Sequence, residues 1–187
     1  MRIIAGILKG STLYIPKDKN TRPLKDLTRE SIFNLLNHSK KMSLEIKQSN
    51  VLDLYAGTGS FGLECISRQA KSVCFVENRK NAIEILEKNI EKLKVKKKVK
   101  IFFNNVFDFV EKKNIFEKKF DIIFCDPPFK DINMDKLIKI IFNKNLLNKN
   151  GILILHRKKI TKEDLPLCYK ILDTRTYGIS KIIFGRF

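Results

Sequence analysis

Long apolar runs are missing from this chain. No stretch approaches the ~18 uninterrupted apolar residues of a membrane-spanning helix, and the N-terminus carries no signal-peptide core. The protein is therefore expected to be soluble and cytoplasmic. Cysteine and histidine are scarce too: Cys65, Cys74, Cys125 and Cys168 stand far apart without a Cys-x-x-Cys pair, and only His38 and His156 could assist them. That argues against a zinc site and a disulfide framework and for reduced, mostly buried thiols, so no metal is expected. Cys125 lies inside an apolar run with no histidine near in sequence, which disfavours covalent catalysis. The third shortage is acid: 20 acidic residues face 38 basic ones, a net charge of +18.

Such a surface would draw a polyanionic partner. The excess needs discounting, because 30 of the basic residues are lysine and the chain is also heavy in Ile, Asn and Phe, as expected of an AT-rich coding sequence. The run Lys94-Val95-Lys96-Lys97-Lys98-Val99-Lys100 reads most simply as a solvated loop entering a strand. Arginines are rarer and more telling. Arg2, Arg22 and Arg29 all precede the core, and guanidinium forks bind phosphate or stack on bases; with Lys25 they make the N-terminal extension the candidate element for positioning a polyanionic partner. Pairing of Arg29 with Asp26 or Glu30 is the competing account.

At 187 residues and 43% hydrophobic content the chain can bury one substantial core. Residues 2 to 15 read as a hairpin around Lys9-Gly10, Leu27 to Leu36 as a helix, and Ser39 to Ser49 as a polar connection. Apolar runs at 51–54, 73–76, 99–103, 121–125 and 152–155 then alternate with helical patterns, which implies parallel βαβ units. Leu167 to Asp173 and Ile179 to Phe187 look like two strands joined at Tyr177-Gly178. The expected fold is α/β: an N-terminal extension over 1–49, and a core over 50–187 with a doubly wound, mostly parallel sheet ending in an antiparallel hairpin.

Asp126-Pro127-Pro128-Phe129, at the end of the run Asp121 to Cys125, fits a reaction at an exocyclic amine. An amine on an aromatic base is a poor nucleophile, because its lone pair is delocalised into the ring. A carboxylate and a backbone carbonyl can accept its two N–H bonds and aim the lone pair at an electrophile. Asp126 and the Pro127 carbonyl would do this, with Pro128 stiffening the turn and Phe129 offering a stacking face. An Asp-Pro-Pro turn is also an ordinary strand stop.

Upstream, an apolar strand enters the loop Asp53-Leu54-Tyr55-Ala56-Gly57-Thr58-Gly59, followed by a helical stretch, and Gly57-x-Gly59-x-x-Gly62 matches the dinucleotide fingerprint. The glycines do not choose between NAD and S-adenosylmethionine (AdoMet). Asp53 helps to choose, since a carboxylate there would repel a pyrophosphate but suit an ammonium and a sulfonium; that it only ties down the loop through backbone N–H groups is the competing account. Glu77, ending the next strand, would hold ribose hydroxyls of either cofactor. Asn105 or Asp108 could contact the adenine, and Asn105 serves equally well as an N-cap.

Together these motifs resemble those of class I AdoMet-dependent amino-group methyltransferases. Arg2-Ile3-Ile4-Ala5-Gly6, Thr21-Arg22-Pro23, Thr28-Arg29-Glu30-Ser31-Ile32-Phe33-Asn34 and Arg175-Thr176-Tyr177-Gly178 narrow the resemblance to the bacterial family that methylates guanine N2 in 16S ribosomal RNA. Ala5 departs from the family's usual glycine, and Pro23-Leu24-Lys25-Asp26-Leu27 from its usual Pro-Thr-Thr-Asp-Arg or Pro-Thr-Thr-Asp-Lys. The resemblance implies a Rossmann-like core, AdoMet as cofactor at Asp53, Ala56, Gly57, Thr58, Gly59 and Glu77, and the small ribosomal subunit or its RNA as partner. DNA adenine-N6 methylation, an NAD-dependent oxidoreductase and a non-catalytic RNA-binding protein are the alternatives on residues alone.

Overall fold

The apolar runs become the strands of one sheet. The computed structural model describes residues 1–16, 26–42, 44–112, 119–128, 133–162 and 164–187. The parallel strands are β1 (Asn50–Leu54), β2 (Ser72–Glu77), β3 (Val99–Phe103), β4 (Phe120–Cys125) and β5 (Leu147–Lys158). A C-terminal hairpin, β6 (Lys170–Tyr177) and β7 (Ser180–Arg186), adds antiparallel through β7 on β5. The order is β3-β2-β1-β4-β5-β7-β6. The direction of winding reverses between β1 and β4, the crevice where open α/β sheets bind ligands. The expected doubly wound sheet with its antiparallel hairpin is present.

Helices cover both faces. On one, α1 (Asp26–His38), α2 (Ser60–Ser67) and α3 (Lys80–Lys92) pack Ile32, Phe33, Phe61, Ile66, Leu86 and Ile90 against Val51, Ile122, Ile154 and Phe184. Stacked rings run from Phe33 to Phe61 to Phe124, with centroids 5.1 and 4.1 Å apart, so the helix before the sheet is tied into its centre. On the other face, α4 (Val106–Glu111) and α5 (Met134–Asn143) cover Leu52, Ile123 and Leu153. In α5 the buried residues Met134, Leu137, Ile138 and Ile141 follow the helical repeat.

The structure differs from the sequence reading at several ends. Residues 2–15 form a hairpin-like loop with a single bridge, Arg2 to Thr12, in place of two strands. Its backbone bonds to α2 instead: the Ile4 and Ala5 N–H groups donate to the buried Glu64, and Leu8 N–H to Ser67 Oγ. Gly6, at φ +85°, passes so close to Ser67 that a Cβ would lie 2.0 Å from its carbonyl oxygen. The fifth strand starts at Leu147, five residues before the apolar run, because Asp121 accepts from Asn148 Nδ2 at 2.6 Å and from Asn50 N–H at 2.8 Å. Strand β6 begins at Lys170, because Tyr169 turns inward and its hydroxyl donates to the Leu153 carbonyl at 2.8 Å. No helix among the described residues is long and apolar enough to cross a membrane.

Candidate active site

At the C-terminal ends of the parallel strands the sheet presents acids rather than apolar residues. Asp53 is the last residue but one of β1, Glu77 ends β2, and Asp126 follows β4. Parallel register explains the grouping: Asp53 pairs with Phe75 and with Phe124, so Glu77 and Asp126 each lie two residues beyond its level on the flanking strands.

The glycine loop is held open by backbone conformations that few side chains adopt. Tyr55, Gly57 and Gly59 all have positive φ, at 61°, 56° and 83°. Ala56 N–H donates to the Val76 carbonyl at 3.0 Å and Gly57 N–H to Glu77 Oε2 at 2.7 Å, which clips the loop to β2. Thr58 is buried and its carbonyl accepts from Asn89 Nδ2. Gly62 has a packing reason: a Cβ there would meet the Phe75 ring at 2.3 Å, so this glycine lets α2 lie on the sheet.

Asp53 is 1% exposed, and Gly62 N–H donates to its Oδ2 at 3.0 Å. Burial pushes its carboxyl well above the ordinary range; the Gly62 bond opposes this, and the nearby Asp126 and Glu77 reinforce it. Among the described residues neither Asp53 nor Asp126 has a lysine or arginine partner. A buried acid among acids favours a bound cation, and an ammonium fits it where a phosphate does not.

Glu77 is already well supplied. Oε1 accepts from the backbone N–H of Asn78 and Arg79 at 3.0 Å each and from Arg79 Nε at 3.1 Å, while Oε2 takes Gly57 N–H and Arg79 Nη2. The Arg79 side chain is about half exposed. Asn105 caps α4, its side chain accepting from Phe107 N–H at 2.8 Å.

Asp126 sits on a turn in which Pro127 is buried and Pro128 exposed. His156 Nδ1 lies 2.7 Å from Asp126 Oδ1. Oδ2 has no hydrogen-bond partner among the described residues. Phe129, like Arg22 and Lys25, lies outside the described residues. The thiol beside the turn is inert, since burial raises the Cys125 pKa far above the ordinary thiol value, as it raises Cys74 to about 11.

Arg29 is a correction. Expected to position RNA, its side chain is fully buried, bonded to the Arg2 carbonyl and to Asp26 Oδ1 at 3.0 Å, with Glu64 3.8 Å away. It anchors the extension, leaving no fork for a phosphate. Arg2 itself is exposed. Among the described residues no group of three or more His, Cys, Asp or Glu could hold a metal ion. The residues missed from sequence are His156 and Arg79. The signal for His156 was a lone polar residue ending the apolar run Ile152 to Leu155, at the level where the other strand-end polar residues stand.

The family model described as conserved hypothetical protein 95 matches residues 1–186. The chain is 32% identical to ribosomal RNA small subunit methyltransferase D of Haemophilus influenzae over 180 residues, covering 96% of this chain and 90% of that protein. It is 34% identical to the same-named protein of Buchnera aphidicola, covering 84% and 76%. It belongs to this methyltransferase family. A solved Haemophilus influenzae structure, described provisionally as a methylase, is 31% identical and superposes with a TM-score of 0.77 over 98% of this chain and 96% of that one. An Escherichia coli structure at 24% identity, covering 100% and 97%, shares the fold with a TM-score of 0.84. The Rossmann-like architecture is thus that of class I methyltransferases.

Proposed function

We propose that this methyltransferase modifies the exocyclic N2 of a guanine in small-subunit (16S) ribosomal RNA, and that it works in the cytoplasm. The observation that carries the reading is Asp126: a carboxylate at the switch point, across from the glycine loop and Asp53, with one oxygen fixed and the other without a hydrogen-bond partner among the described residues. AdoMet is the cofactor, and its sulfonium supplies a methyl group that is already strongly electrophilic.

The chain's own residues have three tasks. Asp53 offers buried negative charge for the cationic amino acid end, beside the loop Ala56-Gly57-Thr58-Gly59. Glu77 is assigned to the ribose; a carboxylate offers about four lone-pair sites and five donors already crowd it, so the half-exposed Arg79 guanidinium is the group that yields. Asn105 is assigned to the adenine end. Asp126 Oδ2 and the Pro127 carbonyl accept the two amine N–H bonds, holding the nitrogen nearly tetrahedral, while Phe129 stacks on the unpaired or flipped base. After transfer the methylated ammonium is acidic and releases its proton without a dedicated base. Neither a metal nor a covalent intermediate is required.

Residues 1–49 are assigned to positioning the RNA, with Arg2, Arg22 and Lys25 as its contacts, and the +18 charge gives the approach its long-range pull. Nucleoside mass spectrometry on small ribosomal subunits lacking the modification, incubated with protein and AdoMet, tests the reading. New N2-methylguanosine is expected. Its absence with AdoMet binding intact, or N6-methyladenine formed in duplex DNA instead, would overturn the choice of substrate.

A further inference from the structure

The chain has two histidines, and they are placed oppositely. His38 is exposed in the last turn of α1, whereas His156 is 7% exposed near the end of β5. Its neighbours Ile152 to Leu155 are wholly buried. Leu155 pairs with Cys125, which brings His156 level with Asp126 on the adjacent strand and on the same face as Ile154 and Phe124. From there Nδ1 reaches Asp126 Oδ1 at 2.7 Å and Nε2 reaches Ser180 Oγ on β7 at 2.9 Å. One imidazole thus bridges three strands.

We propose, resting on the reading of Asp126 as the amine acceptor, that His156 is the positioning residue that aims it. With its proton on Nδ1 the ring donates to the Asp126 carboxylate, and a hydroxyl can donate, so Ser180 satisfies Nε2. This arrangement fixes the tautomer from the far side, as outer hydrogen bonds fix imidazoles elsewhere. It also assigns the two carboxylate oxygens different tasks. Oδ1 is spent on His156, and Oδ2 is left facing the substrate in one orientation. Asp126 lies just beyond the end of β4, and misplacing an acceptor by about 1 Å costs on the order of a hundredfold in rate.

A buried histidine that only fills space would give a different pattern of variants. The amide nitrogen of an asparagine side chain falls near the position of Nδ1, and that of glutamine near Nε2. His156→Asn should therefore retain most of kcat, while His156→Gln and His156→Leu lose on the order of 10- to 100-fold, with KM for AdoMet unchanged in all three. Thermal melts would establish that each variant is folded. An unchanged kcat in His156→Leu, or loss in His156→Asn equal to that in His156→Leu, would overturn the proposal. Nitrogen NMR of the two histidine rings gives a second measurement that needs no substrate. The folded wild type should show His156 in the Nδ1–H tautomer, and Asp126→Ala should abolish that preference; an Nε2–H tautomer in the wild type would overturn it. If the wild type makes no N2-methylguanosine, the guanine reading fails while the NMR result still decides the role of His156.

Discussion

Two groups of buried acids lie on the same face of the sheet and are treated in opposite ways. Where the first residues dock, Glu64 on α2 is enclosed by donors: Ile4 N–H at 2.8 Å, Ala5 N–H at 2.9 Å, Arg68 Nε at 3.0 Å, and Arg29 at 3.8 Å. At the strand ends, Asp53 has one backbone N–H and two neighbouring carboxylates. The first acid is neutralised by the fold, which is what a structural joint requires. The second keeps a single donor, which under the proposed reading leaves it for the cofactor. Completeness of partners therefore separates architecture from function more sharply than burial does, since both carboxylates are almost wholly hidden.

The largest effect expected from breaking the comparison is at the complete joint. Glu64→Ala would strand Arg29 and the Ile4 and Ala5 N–H groups in the interior, and removal of one partner from a buried ion pair costs about 3–5 kcal/mol. Denaturant unfolding should register that loss. The N-terminal segment should also become the first site of proteolysis, because two of its bonds to α2 end on this side chain and only those to Ser67 remain.

Next comes Asp126, the acid proposed to face the target. Asp126→Asn keeps the size and can keep an acceptor, but gives up the charge and can turn a donor toward the amine. Turnover should fall about 100-fold or more, with the AdoMet dissociation constant and the unfolding midpoint nearly unchanged. Stopped or single-turnover methyl transfer, beside calorimetry with AdoMet, separates these quantities. Unaltered turnover would remove Asp126 from the reaction.

How much of this could be read from residues depended on the range of the contact. Asp53, the glycine loop, Glu77 and Asp126 were legible because each lies at or near the end of its own apolar run, and strand-end polarity in βαβ units is a local pattern. Arg29 was half legible: its pairing with Asp26 was the competing account from the residues, but its full burial comes from packing beside Arg2 and Glu64, which no local pattern displays. His156 escaped for the same reason. Its meaning comes from the pairing of β5 with β4 and β7, which a linear sequence does not display. The β6 boundary was misplaced because Leu167-Cys168-Tyr169 looks like strand, while Tyr169 in fact plugs the core with its ring and bonds through its hydroxyl.

A smaller effect, of opposite sign in two measurements, is expected at Asp53. Its folded pKa is raised well above the unfolded value of about 3.9, chiefly by burial, so the folded state holds its proton more tightly. Stability must then decline as pH rises from the unfolded value through the folded one, and the penalty is fully present above both. Asp53→Asn removes that penalty and can still accept from Gly62. The cofactor-free variant should be more stable than the wild type at neutral pH, the gain shrinking toward acid, while AdoMet binds about tenfold or more weakly for want of a charged acceptor. Melts across pH with and without AdoMet would expose both signs. A variant destabilised at neutral pH would mean that Asp53 is a structural acid like Glu64.

The smallest effect should come from Arg2, which tests whether the joint and the RNA contact share one segment. Its backbone carbonyl is occupied by Arg29, but its side chain is exposed. Arg2→Ala leaves that carbonyl in place, so the unfolding midpoint should not move. If the guanidinium meets a phosphate, affinity for the small subunit should fall modestly and uniformly across RNA sequences, and the slope of log affinity against log salt should shrink by about one. Filter binding across a salt series reads both. An unchanged slope would confine the first residues to docking on α2 and leave RNA capture to the residues between Pro16 and Asp26.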